Sequence, residues 1–378
     1  MVYRHSFSSV TRLLFFWAIF STASICAQPV ISAPQKKALA VFQAGVNISL
    51  LENYWSSPDD ILNKSITNKI VLAKQVGFKT IRLPINFDHF ISVKNNNKLD
   101  DRIIEKVAEV YDLVDSLNMI LIITYHFGQA DQLNGKSRDE RLEEIAQNWT
   151  YMINYFKGTG YSNLGFALYN EPRITGSDLN NAISVVMDKV RTLDLERYWI
   201  IGSGNYSKID DFYFLKKFPN DPKILYTFHF YEPYMFTHQG APWDKDKVPI
   251  TGLPFPFDAA AMPGIPVSIT HKDIIYNYQH YEDVAHINFF KEKVKFVADW
   301  AKKNNVAMIC TEFGAIETIP AKYRNAYIKE LTEVLTSFGI PAIVWELDQN
   351  FKIVDDKNQP LSAIQQWIKS LQEPLTKN

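Results

Sequence analysis

The chain has only two cysteines in 378 residues, Cys26 and Cys310, too few for a disulfide framework, so its stability must come from a buried core. It has almost no charge imbalance: 40 basic against 41 acidic residues leave a formal net charge of -1. That excludes the strong electrostatic attraction on which binding to nucleic acid or an anionic lipid surface depends. Neither an HExxH nor a paired-cysteine spacing is present, and the sequence neighbours His229, Glu232 and His238 do not form a compact ligand motif. We therefore expect no metal and no cofactor. The first strand-like run leads into GVNISLLEN rather than a glycine-rich phosphate turn, which argues against an open doubly wound nucleotide-binding sheet. There is no low-complexity linker and no repeated module, so a single domain is the economical reading.

What is present begins with a leader. Arg4 and Arg12 precede the apolar run Leu13 to Phe20, followed by small residues with cleavage sites after Ala23 or Ala27, the pattern of an export signal. The run is far shorter than the roughly 20 residues of a membrane-spanning helix, so a cleaved signal over 1–27 is expected, with residues 28–378 forming the mature domain. A lipid-modified Cys26 is the weaker reading, because Ile25 is bulky where a small residue belongs. Loss of Arg4 and Arg12 takes the net charge from -1 to -3. The expected product is secreted or periplasmic, monomeric, and bound to neither nucleic acid nor membrane.

With 47% hydrophobic and 14% aromatic residues, the remaining chain can bury one large core. Eight β-branched or aromatic runs recur with helical segments between them: VFQAGVNI from Val41, FKTIRLPI from Phe78, ILIITYH from Ile120, LGFALYNEP from Leu164, YWIIGSGN from Tyr198, KILYTFHFY from Lys223, VAMICTEFG from Val306 and PAIVWEL from Pro341. Several are nearly continuous apolar runs, as strands buried on both faces should be. Between them, segments such as RIIEKVAEVYDLVDSLN space Ile104, Val107, Val110 and Leu113 about a turn apart. Eight strand–helix units predict a closed (β/α)8 barrel of the α/β class. One connection breaks the rhythm: a proline-rich loop of roughly 50 residues follows the sixth strand, and a structureless loop this long in a compact domain is usually functional; its aromatic residues include Tyr234, Phe236, Trp243, Phe255 and Phe257.

Such a barrel assembles its site at the carboxyl ends of the strands. The polar residues there are Arg82, His126, Asn170, Glu171, Asn205, His229, Tyr231, Glu312, Trp345 and Glu346. Glu52 and His89 lie at or just beyond strand ends as possible ligand contacts. Burying a carboxylate at the end of an apolar strand is unfavourable without partners, so Glu171 and Glu312, three strands apart around the mouth, stand out as a pair. Paired carboxylates flanking a bond are what glycoside hydrolysis needs; either glutamate alone would read equally well as a loop ion pair.

The ordered set IRLPI, TYHFG, ALYNEP, TFHFYEP, TEFGA and VWEL resembles glycoside hydrolase family 5, the group containing many cellulases, over essentially the whole mature chain. The resemblance implies that Glu171 is the acid/base and Glu312 the nucleophile of a retaining mechanism, their carboxyl groups about 5 to 5.5 Å apart. It implies that Arg82 orients Glu312 and keeps it ionised, that the charge on Glu312 raises the pKa of Glu171, that Asn170 bonds the sugar 2-hydroxyl, and that Tyr231 bonds Glu312. His126 and His229 match the two site histidines of the family. Trp345 would offer its face to the sugar in the cleaved subsite, with Trp55, Trp243, Tyr234, Asn205 and His89 as outer contacts. An endo-acting β-glucanase is the leading expectation, because HFYEPYMFTHQGA is most cellulase-like. A β-mannanase, an exo-acting β-glucosidase, or a barrel that binds carbohydrate without turnover are the alternatives.

Overall fold

A computed structural model describes residues 31–92, 98–126, 136–219 and 221–372. The expected leader and Cys26 lie outside the described residues. Eight parallel strands close into a barrel: β1 Ala44–Asn47, β2 Thr80–Ile85, β3 Ile120–Tyr125, β4 Leu164–Ala167, β5 Tyr198–Gly202, β6 Ile224–Phe230, β7 Ala307–Phe313 and β8 Ala342–Val344. Each pairs with its sequence neighbours and β8 returns to β1. Helices such as Asp101–Ser116 pack outside, capped by the Asp100 side chain and burying Ile103, Ile104, Val107, Val110, Tyr111 and Val114, the one-sided spacing that predicts an amphipathic helix.

Each of the eight expected runs contains a strand, with one revision at the first. Val41 and Phe42 end a helix, Ala33–Phe42, rather than begin β1. That helix closes the amino-terminal end of the barrel. Ala38 and Phe42 pack on Ile122, Ala167, Ile200, Leu225, Ile309 and Ile343 from six strands. The buried Gln35 amide donates to Met308 O at 2.9 Å and Gly339 O at 2.8 Å and accepts from Met308 N at 2.8 Å. One end of the barrel is thus plugged, leaving the carboxyl end for chemistry.

The long connection after β6 is not structureless. It holds the short helices Tyr234–Thr237 and Lys272–Gln279 before the long helix Ile287–Asn304. Phe236, Phe255 and Tyr281 are buried, and Phe255 stacks on Phe290 with ring centroids 5.3 Å apart. Phe236 and Phe255 therefore anchor this excursion to the barrel wall, and its exposed aromatics Tyr234 and Trp243 remain at the surface.

At the mouth, β7 and β8 approach so closely that a Cβ on Gly314 would lie 2.2 Å from Trp345 O, while Trp345 N donates to Phe313 O at 2.8 Å. A methyl group there must push the Trp345 backbone aside. Gly314→Ala is expected to lower unfolding stability by about 1–3 kcal/mol through overpacking. Gly165→Ala, whose Cβ would meet nothing closer than 3.6 Å, should change it little. Denaturant titration of the two variants checks this; equal effects would refute it.

Candidate active site

The site is built around one buried cation. Arg82 in β2 is 1% exposed, and a charge at that depth needs compensating partners. Its Nη1 donates to Glu312 Oε1 and to Asn47 Oδ1, each at 2.7 Å, and its Nη2 donates to Asn170 Oδ1 at 2.5 Å. The guanidinium therefore joins the ends of β1, β2, β4 and β7. Asn47, fully buried, returns its own Nδ2 to Thr311 O and Val344 O at 3.1 Å. Asn170 has its carbonyl oxygen on Arg82 and its main-chain N–H on Tyr125 O at 2.7 Å, and its side chain also hydrogen-bonds the His126 ring.

Glu312 owes its place to an irregularity of the sheet. Phe228 pairs with Cys310 but His229 pairs with Glu312, so Thr311 is an extra residue in β7. A bulge of this kind re-aims the side chains beyond it. Here it sets Glu312 beside His229, whose Nδ1 is 3.5 Å from Glu312 Oε2 and 2.8 Å from Glu171 Oε1. The extra residue is itself used: Thr311 Oγ1 contacts His229 Nε2 at 3.2 Å and Thr227 Oγ1 at 2.7 Å. Tyr231 donates its hydroxyl to Glu312 Oε2 at 3.0 Å, so both carboxylate oxygens of Glu312 are engaged.

Glu171 sits after β4 in the left-handed backbone region, φ 48°, a conformation that a side chain with a Cβ adopts only under constraint. Burial raises its pKa to about 7, and the cations Arg82, Arg173 and Lys208 oppose the shift. Burial is thus the leading cause of a rise that the sequence reading ascribes to the charge on Glu312. Burial also lowers the His229 pKa to about 4, so near neutral pH this imidazole has a single N–H. Protonated Glu171 can then donate to Nδ1 while Nε2–H donates to Thr311 Oγ1, an arrangement that gives each of these two donors an acceptor. Burial and the neighbouring Glu312 carboxylate push the Tyr231 pKa well up, keeping it a donor.

One oxygen of Glu171 and one of Glu312 lie, with a His229 nitrogen, within 4.8 Å of one another. Such a trio is compact enough for a cation, but Arg82 already occupies Glu312 Oε1, and an ion would bring like charge beside the guanidinium. His238, by contrast, turns away to Thr237 Oγ1 at 2.9 Å and stacks on Tyr234, while Glu232 approaches Lys293.

The remaining expected residues divide. Trp345 is partly open and lies parallel to the buried His126 ring, centroids 5.7 Å apart. Burial, with the charge of Arg82, holds the His126 pKa well below its usual value. His89 donates through Nε2–H to Ser56 O, 2.7 Å away, and serves the β1 loop rather than the carboxyl pair. Asn205 has an exposed side chain in a left-handed turn. Trp55, Tyr234 and Trp243 are exposed at the rim. Asn47 and Thr311 were missed by sequence reading. Asn47 had a usable signal as a polar residue ending an apolar strand, whereas Thr311 is marked only by a register shift that no periodicity shows.

Beyond Trp345 a second acidic pair is buried. Glu346, after β8, bonds through Oε2 to the Ser49 hydroxyl, and Glu52 Oε2 accepts from Leu50 N at 2.8 Å. Burial raises Glu346 to about 8 and Glu52 to about 7.

The sequence model of Cellulase (glycosyl hydrolase family 5) matches residues 38–351. Endoglucanase 3 of Fibrobacter succinogenes is 26% identical over 347 residues, which are 85% of this chain and 52% of that protein. The chain thus spans about half the length of that relative. Endoglucanase C of Acetivibrio thermocellus is 23% identical over 85% of this chain and 96% of its own length. A solved endoglucanase superposes with a TM-score of 0.73 at 26% identity, covering 90% of this chain and 100% of that one.

The acidic pair has a measurable consequence. A carboxyl whose folded pKa is raised gives stability that is fully present below its unfolded value and is lost as pH rises through the folded one. Thermal stability should therefore fall between about pH 5 and 9, and Glu346→Gln should flatten the curve by an amount on the order of a few kcal/mol. Parallel stability–pH curves for the two proteins would refute the assignment.

Proposed function

The chain belongs to glycoside hydrolase family 5, and from that membership we propose that it is a retaining, endo-acting β-glucanase that uses Glu312 as nucleophile and Glu171 as acid/base. The observation that carries the mechanism is the approach of the two carboxyl groups to within 4.8 Å. Retaining enzymes hold this pair about 5–5.5 Å apart, whereas inverting ones need about 6.5–9.5 Å to admit a water. In the first step Glu312, oriented by Arg82 and Tyr231, attacks the anomeric carbon while the Glu171 proton passes to the leaving oxygen. In the second, Glu171 takes a proton from water as that water displaces Glu312. Asn170 offers its amide hydrogens to the sugar 2-hydroxyl, and Trp345 with His126 supplies a flat wall for the ring.

Endo action on a β-1,4 or mixed-linkage glucan is supported by the names of the relatives. It is also supported by aromatic rings exposed after β1 (Trp55) and after β6 (Tyr234, Trp243), which can carry sugars on both sides of the cleavage point. The leader over residues 1–27 directs this activity out of the cytoplasm, to periplasm or medium, where polymeric glucan is met.

Reducing-sugar release from carboxymethylcellulose, barley β-glucan, laminarin and mannan tests the reading. We expect release from the first two, reduced at least about 10²–10⁴-fold in Glu171→Gln and Glu312→Gln. Release from mannan alone would replace the glucan assignment, and wild type as inactive as both variants on every polysaccharide would leave a binding protein. The first step needs Glu171 protonated, so kcat/KM should fall as pH rises through about 7. That alkaline limb should vanish in Glu171→Gln; its persistence would assign the limb to another group.

A further inference from the structure

We infer that the turn Gly204–Ser207, which follows β5, positions the Glu171 carboxyl by holding the loop that carries it through main-chain hydrogen bonds. The inference rests on the acid/base role given to Glu171 above.

The turn is an unusual piece of backbone. Asn205, Tyr206 and Ser207 have φ of 48°, 66° and 55°, three successive side-chain-bearing residues in the left-handed region. That conformation is disfavoured for any residue with a Cβ; asparagine tolerates it best and a tyrosine does not seek it. A run of this kind persists only where its surroundings demand it. What the turn gains is a set of N–H groups aimed sideways at the loop after β4. Tyr206 N donates to Pro172 O at 3.1 Å and Asn205 N donates to Ile174 O at 3.3 Å.

Further contacts close the same seam. A Cβ on Gly204 would fall 2.3 Å from Ile174 O and 3.1 Å from Thr175 Cα, so the two backbones touch where only glycine fits. The Arg173 guanidinium lies 5.6 Å from the centre of the Tyr206 ring, a cation–π contact. Thr175 Oγ1 donates to Asp211, just beyond the turn. Positions 172 to 175 are therefore each held by residues 204 to 211, directly beside a Glu171 whose own φ is 48°. An unsupported loop could let that φ relax, and the carboxyl would leave the 2.8 Å contact with His229 and its station opposite Glu312.

Proton donation requires the acid within hydrogen-bond reach of the leaving oxygen. A misplaced acid therefore slows substrates whose leaving group needs a proton and spares those whose leaving group departs unaided. Loss of overall folding slows both alike, which gives the test its contrast.

The full-length protein would be assayed as Tyr206→Gly against Tyr206→Val, and Asn205→Gly against Asn205→Val. Within each pair the same side chain is lost, but only valine opposes the left-handed backbone. The readouts are kcat/KM on aryl β-cellobiosides with dinitrophenol and with plain phenol as leaving groups, and the alkaline limb of the pH profile. Each valine variant should fall about tenfold or more below its glycine counterpart on the phenyl substrate, with near equality on the dinitrophenyl one and a displaced alkaline limb. Equal valine and glycine values on the phenyl substrate, or equal losses on both substrates, would overturn the inference. If Tyr206→Val does not fold, the Asn205 pair decides. Glu171→Gln in parallel separates the two levels: should it show no dependence on leaving group, the acid/base assignment itself fails.

Discussion

The site depends on a single buried positive charge. Arg82 is almost wholly buried, and it is held by Glu312, Asn47 and Asn170 from three other strands. Removing one partner of such a buried pair leaves the other uncompensated, at a cost of roughly 3–5 kcal/mol. The arrangement is therefore coupled: the barrel cannot place the cation without also placing the carboxylate and the two amides. What the pair contributes is geometric certainty for Glu312, whose second oxygen is then fixed by Tyr231.

Around that centre, the functional side chains are aimed by departures from regular backbone. Thr311 is the extra residue of a bulge that brings Glu312 level with His229. Glu171 lies in left-handed backbone, as do the three residues of the turn packed against its loop. Gly314 and Gly204 mark places where main chain meets main chain with no room for a methyl group. Regular strands supply rigidity, and the irregular residues at their ends convert it into direction.

This division explains what was legible in the sequence. Long apolar runs declare buried strands, so all eight could be read, and strand-end polar residues declare a mouth, so the carboxyl pair, Arg82 and Trp345 could be named. The opening of β1 was misplaced because Val41 and Phe42 have the same apolar character in a plugging helix as in a strand. The connection after β6 was read as open loop because its prolines hide the buried Phe236 and Phe255. Thr311 and the turn at Asn205 escaped because register and φ leave no periodic trace. The identities of the residues were visible, but the conformations that make them matter were not.

The source of the Glu171 shift bears on how one carboxyl serves two steps. Burial is the dominant cause, and Arg82, Arg173 and Lys208 pull the other way. The charge on Glu312, within 4.8 Å, adds to the rise, and esterification of Glu312 removes that part. A group held at about 7 by its enclosure sits near the middle of its titration, where neither giving nor taking a proton requires a large further shift. His229 suits the acid form: its low pKa keeps it uncharged, and a neutral imidazole accepts from protonated Glu171 at Nδ1 while Nε2–H donates to Thr311. The acid-to-base change therefore draws on two causes, the partial enclosure of Glu171 and the charge of the nucleophile beside it, and only the second is switched off when the glycosyl-enzyme forms.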